Sequence, residues 1–98
     1  MTRYVVLINW TAQGIANFKD SPDRYASAAK QWEEQLGVRI TDFYWTIGEH
    51  DMIGIVEAPD DESATAALLQ LGALGNVRTR TMRAFSRDEI QGVIDKAS

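Results

Sequence analysis

The sequence contains one histidine, His50, with an acidic residue on each side in the segment Gly48-Glu49-His50-Asp51. Carboxylates beside an imidazole favour its charged form, which suits a general base or a pH-responsive group near neutral pH. His50 and Asp51 are therefore candidate catalytic residues that would move a proton. The alternative interpretation is structural: His50 is a solvated turn residue, and Asp51 accepts backbone N–H bonds as a turn cap.

Two pairs of candidate residues alternate along one expected strand, so they point to opposite faces of its sheet. Asp42 and Tyr44 form one pair, and Phe43 and Trp45 form the other. In one register Asp42 lines a pocket and Tyr44 acts as a hydrogen-bond donor or proton relay. A shift of one residue exchanges the pairs, and Trp45 then lines the pocket instead.

An arginine and a tryptophan complete the candidate set. Arg78 has the side chain to bind a carboxylate or phosphate bidentately, or to polarise a carbonyl group. More often, a strand arginine pairs with a carboxylate across an interface or extends into water. Trp10 closes the first apolar segment and is interpreted either as a ligand contact or as an aromatic plug.

The composition argues against several kinds of site. The chain has no cysteine, which excludes disulfides, thiolate nucleophiles and Cys-ligated metals, and its single histidine disfavours zinc. A net charge of −4 disfavours nonspecific nucleic-acid binding. No apolar run approaches the roughly 18 residues of a membrane span, and the first apolar run does not resemble a signal peptide. We therefore expect a cytoplasmic protein with no metal, cofactor, nucleic-acid or membrane partner.

Hydrophobic periodicity predicts the order β-α-β-β-α-β, followed by a C-terminal helix. The first long helix is expected to start at Ser21, as the N-cap, with Pro22 at its first helical position, and to stop at Gly37. Ser86 and Glu89 form a predicted capping box before the last helix. The expected strands cover residues 3–10, 38–47, 51–58 and 77–85.

This order predicts one domain over residues 1–98, with the α+β ferredoxin-like fold: a four-stranded antiparallel sheet and helices on one face. Several strands are apolar on both sides, and two helices cover only one of them. The uncovered face needs a lid, and a second copy of the same sheet is the simplest one. The sequence therefore predicts a homodimer.

The segments YVVLINWTAQGI, KDSPDR, GEHD, APDDE and LGALGNVRTRTMRAF resemble the GYD-domain family of the dimeric α+β barrel superfamily. The motif Gly-x-Tyr-Asp of that family falls on residues 48–51, where His50 stands in place of the tyrosine. The resemblance implies two ferredoxin-like protomers that pack sheet to sheet and enclose an interior pocket. It does not choose a chemistry, because related folds serve many activities.

Three functions follow as hypotheses. The first is a small homodimeric protein that binds a mainly apolar small molecule in an aromatic-lined barrel pocket. The second is a cofactor-free isomerase, cyclase or monooxygenase, in which His50 or Asp51 shuttles a proton and Tyr44 or Arg78 polarises a carbonyl group. The third is a structural or partner-binding module in which the barrel serves only as the interface between copies.

Overall fold

The computed structural model describes all residues 1–98, and its elements follow the predicted order. A single 3₁₀ turn at Phe18–Asp20 precedes the longest helix. None of the helices combines the length and the hydrophobicity that a membrane span requires. The elements are β1 (Thr2–Trp10), α1 (Ala12–Ala16), α2 (Ser21–Leu36), β2 (Arg39–Trp45), β3 (Met52–Ala58), α3 (Asp61–Ala73), β4 (Val77–Ala84) and α4 (Arg87–Ala97).

The four strands form one antiparallel sheet in the order β2-β3-β1-β4. This is the predicted ferredoxin-like α+β arrangement, so the fold class is confirmed. A core of 11 buried residues lies between the sheet and the helices α2 and α3. Tyr4, Val6 and Ile8 contribute the β1 side of this core, as their alternation predicts.

Helix α2 begins and ends where the sequence predicts, but Ser21 has a different role. Ser21 is the first helical residue, and Asp20 precedes it without a side-chain capping bond. The Ser21 hydroxyl is buried and accepts a hydrogen bond from Trp45 Nε1 at 3.0 Å. The predicted N-cap is therefore wrong, because the hydroxyl bonds to a tertiary partner. Gly37 ends α2 with a φ of 66°, as expected of a left-handed C-cap.

A β-bulge in β2 decides which of its side chains meet the core. The pairing with β3 shifts between Ile40 and Asp42, so two residues separate the core-facing Ile40 and Phe43. Phe43 lies opposite Gly54, and a Cβ placed on this glycine would lie 3.2 Å from the phenylalanine ring. The missing side chain of Gly54 thus leaves room for the Phe43 ring beneath α2.

Carboxylates hold the first turns of the two later helices. Asp60 accepts from the backbone N–H of Ser63 at 2.7 Å at the start of α3. Ser86 and Glu89 form the predicted capping box of α4, which is therefore confirmed. The backbone N–H donated by Ser63 lowers the pKa of Asp60, and that donated by Ser86 lowers the pKa of Glu89.

Lowering the pH is expected to fray the start of α4. Because folding lowers the pKa of Glu89 below its ordinary value of 4.5, its contribution to stability is complete above that value and is lost as the pH falls through the folded-state pKa. NMR chemical shifts of the first α4 turn, followed against pH, measure the change. Glu89→Gln is the matched control, because its amide oxygen still accepts from Ser86 but does not titrate. Identical pH profiles for the two proteins would contradict the assignment.

Candidate functional site

The face of the sheet opposite the core, here called the open face, carries an aliphatic centre. Val5 pairs with Ile55, and Leu7 pairs with Ile53, so four aliphatic side chains form a square on the two central strands. All four are only partly buried in the single chain. The edge strands enlarge the surface: Met82 lies opposite Val5, and Tyr44 lies opposite Ile53 with 61% of its surface exposed.

Opposite charges lie at the two edges of the open face. Arg78 and Arg80 lie on β4 opposite Asn9 and Leu7, and neither arginine forms an ion pair. Asp42 lies on β2, at the other edge, opposite Ile55. The open face is therefore apolar at its centre and basic along the β4 edge, whereas the β2 edge carries Asp42 and also Arg39, which lies opposite Glu57.

The aromatic candidates lie mostly on the other side of the sheet. Trp45 packs with Phe43 and Tyr25, at centroid distances of 5.0 and 5.7 Å, and Trp10 packs against the core. Of the two registers that the sequence left open, the structure has the one with Asp42 and Tyr44 on the open face. Tyr44 is therefore the β2 aromatic residue on the open face, because the bulge in β2 directs Phe43 and Trp45 toward α2.

The His50 side chain is held by an asparagine that sequence reasoning did not single out. His50 Nδ1 lies 2.8 Å from Asn9 Oδ1, and Asn9 Nδ2 donates to the carbonyl of Glu49 at 2.8 Å. The Thr46 hydroxyl donates to the His50 carbonyl at 2.5 Å. The sequence signal that could have indicated this contact is a polar asparagine between Ile8 and Trp10, at the end of the apolar run of β1.

Asp51 connects the same turn to the end of β1. Its carboxylate accepts from the backbone N–H of Trp10 at 2.9 Å, and its own N–H donates to the carbonyl of Ile8 at 2.9 Å. The carboxylate therefore bonds a backbone donor at the end of β1, where the ladder with β3 stops. These two bonds indicate that Asp51 positions the turn, which they support more directly than a role in proton transfer.

Replacing Asp51 with alanine is expected to lower the free energy of unfolding by about 1–3 kcal/mol, because the Trp10 N–H loses its acceptor. Urea denaturation measures this loss. Asp51→Asn is the control, since its amide oxygen keeps an acceptor at the same position. Equal loss of stability in both variants would show that the carboxylate does something other than accept this bond.

The candidate residues fall into two groups. Arg78, Asn9 and the His50–Asp51 turn lie across one end of the sheet, and Tyr44 and Asp42 lie further along β2 on the same face. Trp10 and Trp45 lie beneath the helices. No three His, Asp or Glu side chains are grouped closely enough to hold a metal ion.

The sheet order and the open face define a class: a small ferredoxin-like α+β domain with its helices on one side of the sheet and an apolar surface on the other. Within this class, the family model described as the GYD domain matches residues 4–94. The chain therefore belongs to the GYD domain family, which confirms the resemblance seen in the sequence. Its family motif forms the connection between β2 and β3.

One curated relative covers almost the same length. The chain is 31% identical over 85 residues to the "Glutamine synthetase and cystathionine beta-lyase binding protein" of Thermus thermophilus. The match covers 87% of this chain and 90% of that protein.

Solved structures share the fold at low sequence identity. MtbAldR superposes with a TM-score of 0.67 at 15% identity over 88% of this chain, which spans about half (54%) of the MtbAldR chain. FFRP-DM1 gives a TM-score of 0.62 at 17% identity, covering 87% of this chain and all (100%) of that one. TTHA0845, also from Thermus thermophilus, gives 0.53 at 22% identity, covering 88% and 95%. At these identities the likeness shows the fold alone.

Proposed function

We propose that this protein is a homodimeric binding module that associates through its open face and acts by binding another protein. The observation that carries the proposal is the aliphatic square of Val5, Leu7, Ile53 and Ile55, which one chain leaves only partly buried. A contiguous apolar surface of this kind on a small domain marks an interaction site. The proposal includes a cytoplasmic location, which the cysteine-free composition supports.

The edge charges favour a second copy of this chain as the cover. A two-fold axis parallel to the strands places β4 of one protomer over β2 of its partner, and β2 over β4. Arg80 then lies over Tyr44 of the other copy, two residues along β2 from Asp42, which its long side chain extends toward, twice in each dimer, around the joined aliphatic centres. Such charge complementarity sets the orientation of the two copies.

The named relative supports a protein partner beyond self-association. Its name says that it binds glutamine synthetase and cystathionine beta-lyase, and this chain matches it along nearly its whole length. We therefore propose that one of the two corresponding enzymes from the same genome is the partner. The Asp51 carboxylate accepts from the backbone N–H of Trp10 and so positions the turn between β2 and β3. This use of the carboxylate agrees better with a binding role than with proton transfer.

A small apolar ligand between the two open faces belongs to the same proposal. It would contact the aliphatic square and Tyr44, rather than the aromatic lining expected from the sequence. Native mass spectrometry of the protein purified without added ligands tests both points. A dimer mass supports self-association, and a monomer mass overturns it. Extra mass on the dimer supports a bound ligand, and a bare dimer argues against one.

Direct binding of purified glutamine synthetase and purified cystathionine beta-lyase tests the protein partner. Biolayer interferometry with the immobilised dimer is expected to show saturable binding of at least one enzyme. Heat-denatured protein on a second sensor is the control for nonspecific adsorption. If neither enzyme binds, the partner part of the proposal is wrong, whatever the oligomeric state.

A further inference from the structure

Asn9 fixes the protonation state of one nitrogen of the His50 ring. Its amide nitrogen donates to the Glu49 carbonyl at 2.8 Å, so Oδ1 is the amide atom that faces His50 Nδ1, also at 2.8 Å. An amide oxygen only accepts hydrogen bonds, so Nδ1 must carry a proton. Nε2 forms no bond within the chain, and in the neutral ring it is the unprotonated nitrogen. The ring is therefore held through one nitrogen and leaves the other available to a ligand.

Arg78 lies on the other side of Asn9 and has no acceptor of its own. It pairs with Asn9 in the register of β1 and β4, and directly opposite residues have Cβ atoms about 4.5–5.5 Å apart. Arg78 is exposed and forms no ion pair. The arginine side chains that donate hydrogen bonds are those of Arg3, Arg24 and Arg83. The guanidinium group of Arg78 therefore keeps its donors free for a ligand.

The charges around His50 suit a carboxylate better than a phosphate group. A guanidinium group binds a carboxylate with two parallel hydrogen bonds, and a protonated imidazole adds a further donor from Nε2. Glu49 and Asp51 flank His50 in the turn, and Arg80 is the next charged residue on the same face of β4. The two acidic neighbours favour the charged ring but repel a ligand with two negative charges. A ligand with a single negative charge therefore fits this end of the sheet.

An apolar surface begins one row further along the sheet. Leu7 lies two residues from Asn9 on β1, a spacing of about 7 Å, and it pairs with Ile53 on β3. Both residues belong to the aliphatic square and are only partly buried in the single chain. A carboxylate bound beside Asn9 would place a short alkyl chain against these two side chains.

We propose that Arg78 and His50 form a binding site for a short-chain aliphatic carboxylate on the open face. The carboxylate accepts from the Arg78 guanidinium group and from Nε2 of the protonated His50 ring, and the alkyl chain lies against Leu7 and Ile53. Binding therefore takes up a proton wherever the free ring is neutral. Such a carboxylate is the small ligand of the proposed function, so this site rests on the ligand part of that proposal. All of its contacts lie within one chain, so it does not require the dimer.

Long-range ¹H–¹⁵N NMR spectra of the tag-free protein report on this ring directly, because His50 is the only histidine. At a pH where the free ring is neutral, the spectrum should show the tautomer with its proton on Nδ1. Hexanoate added at that pH is expected to convert the ring, in a saturable way, to the form with protons on both nitrogens. A free ring with its proton on Nε2, or no saturable change with hexanoate, would overturn the proposal.

A neutral analogue and a pair of arginine variants test the contacts of the carboxylate. Hexanamide has the same alkyl chain without the charge, and it is expected to bind at least about tenfold more weakly than hexanoate. Arg78→Gln should weaken hexanoate binding by a similar factor, whereas Arg87→Gln, at an exposed arginine of α4, should leave it unchanged. Equal affinity for the two ligands, or full affinity of the Arg78→Gln protein for hexanoate, would show that this carboxylate site does not exist.

Smaller anions test the two parts of the ligand. Acetate is expected to bind more weakly than hexanoate, because it lacks the chain that lies against Leu7 and Ile53, and inorganic phosphate more weakly than acetate. Tighter binding of phosphate than of acetate would overturn the choice of a carboxylate, and equal affinity for acetate and hexanoate would overturn the alkyl contacts. Sedimentation velocity on the same samples separates this site from the dimer. A monomer that binds hexanoate supports the site and contradicts the dimer, whereas a dimer that does not bind it contradicts the site alone.

Discussion

Replacing Gly14 with alanine is expected to lower the free energy of unfolding by about 3 kcal/mol or more. The alanine Cβ would lie 1.9 Å from the carbonyl oxygen of Asn76 and 2.8 Å from its carbonyl carbon. These are backbone atoms, which cannot move aside as the end of a flexible side chain can. The contact is tight because Thr11 holds the two segments together, with its N–H donating to Asn76 and its hydroxyl to Gly75.

Urea denaturation of the Gly14→Ala protein measures this effect. Gly92→Ala is the matched control, because Gly92 lies in the exposed helix α4 and a Cβ there meets nothing within 4 Å. Alanine at that position is expected to raise the free energy of unfolding by about 0.5–1 kcal/mol through its helix propensity. A Gly14→Ala protein as stable as the wild type would show that α1 does not press against Asn76 this closely.

Replacing Ile55 with glutamate is expected to dissociate the proposed dimer. The two-fold symmetry puts two new carboxylates into one interface, each among aliphatic side chains and each beside Asp42 on the neighbouring strand. We expect self-association to weaken by at least a factor of about 1,000, which corresponds to about 4 kcal/mol. The protomer should stay folded, because Ile55 points away from the core.

Sedimentation velocity measures the change in mass, and circular dichroism verifies the fold of the variant. Ile47→Glu is the control, because the same substitution is made at a fully exposed side chain outside the strands. It is expected to leave the dimer intact. If the Ile55→Glu protein remains dimeric, the dimer interface does not lie on the open face, and the proposed orientation of the two copies is wrong.

The sequence was sufficient for the fold because its local signals agree with one another. Pro22 and Gly37 bound α2, and Ser86 with Glu89 starts α4, each through backbone geometry or a bond to a near neighbour. Alternation along β1 separates Val5 and Leu7 from the core residues between them. Local rules therefore predicted the order of the elements, the ferredoxin-like class and the two faces of the central strand.

The candidate site was predicted less completely, since its contacts join residues far apart in the chain. Asn9 bonds His50 from another strand, and the Trp10 N–H bonds Asp51 across the same turn. The sequence proposed the turn as a site but offered no partner for its side chains.

The sequence by itself determined the elements of this protein, the family to which it belongs and the presence of more apolar strand surface than two helices cover. The tertiary structure alone decided which side chains occupy that surface. A single extra residue at the bulge between Ile40 and Asp42 reverses the alternation of β2, so Trp45 faces α2 and Tyr44 faces outward. Side-chain direction in a strand has a period of two, and a bulge that changes it is set by pairing with β3 rather than by the residues of β2 themselves.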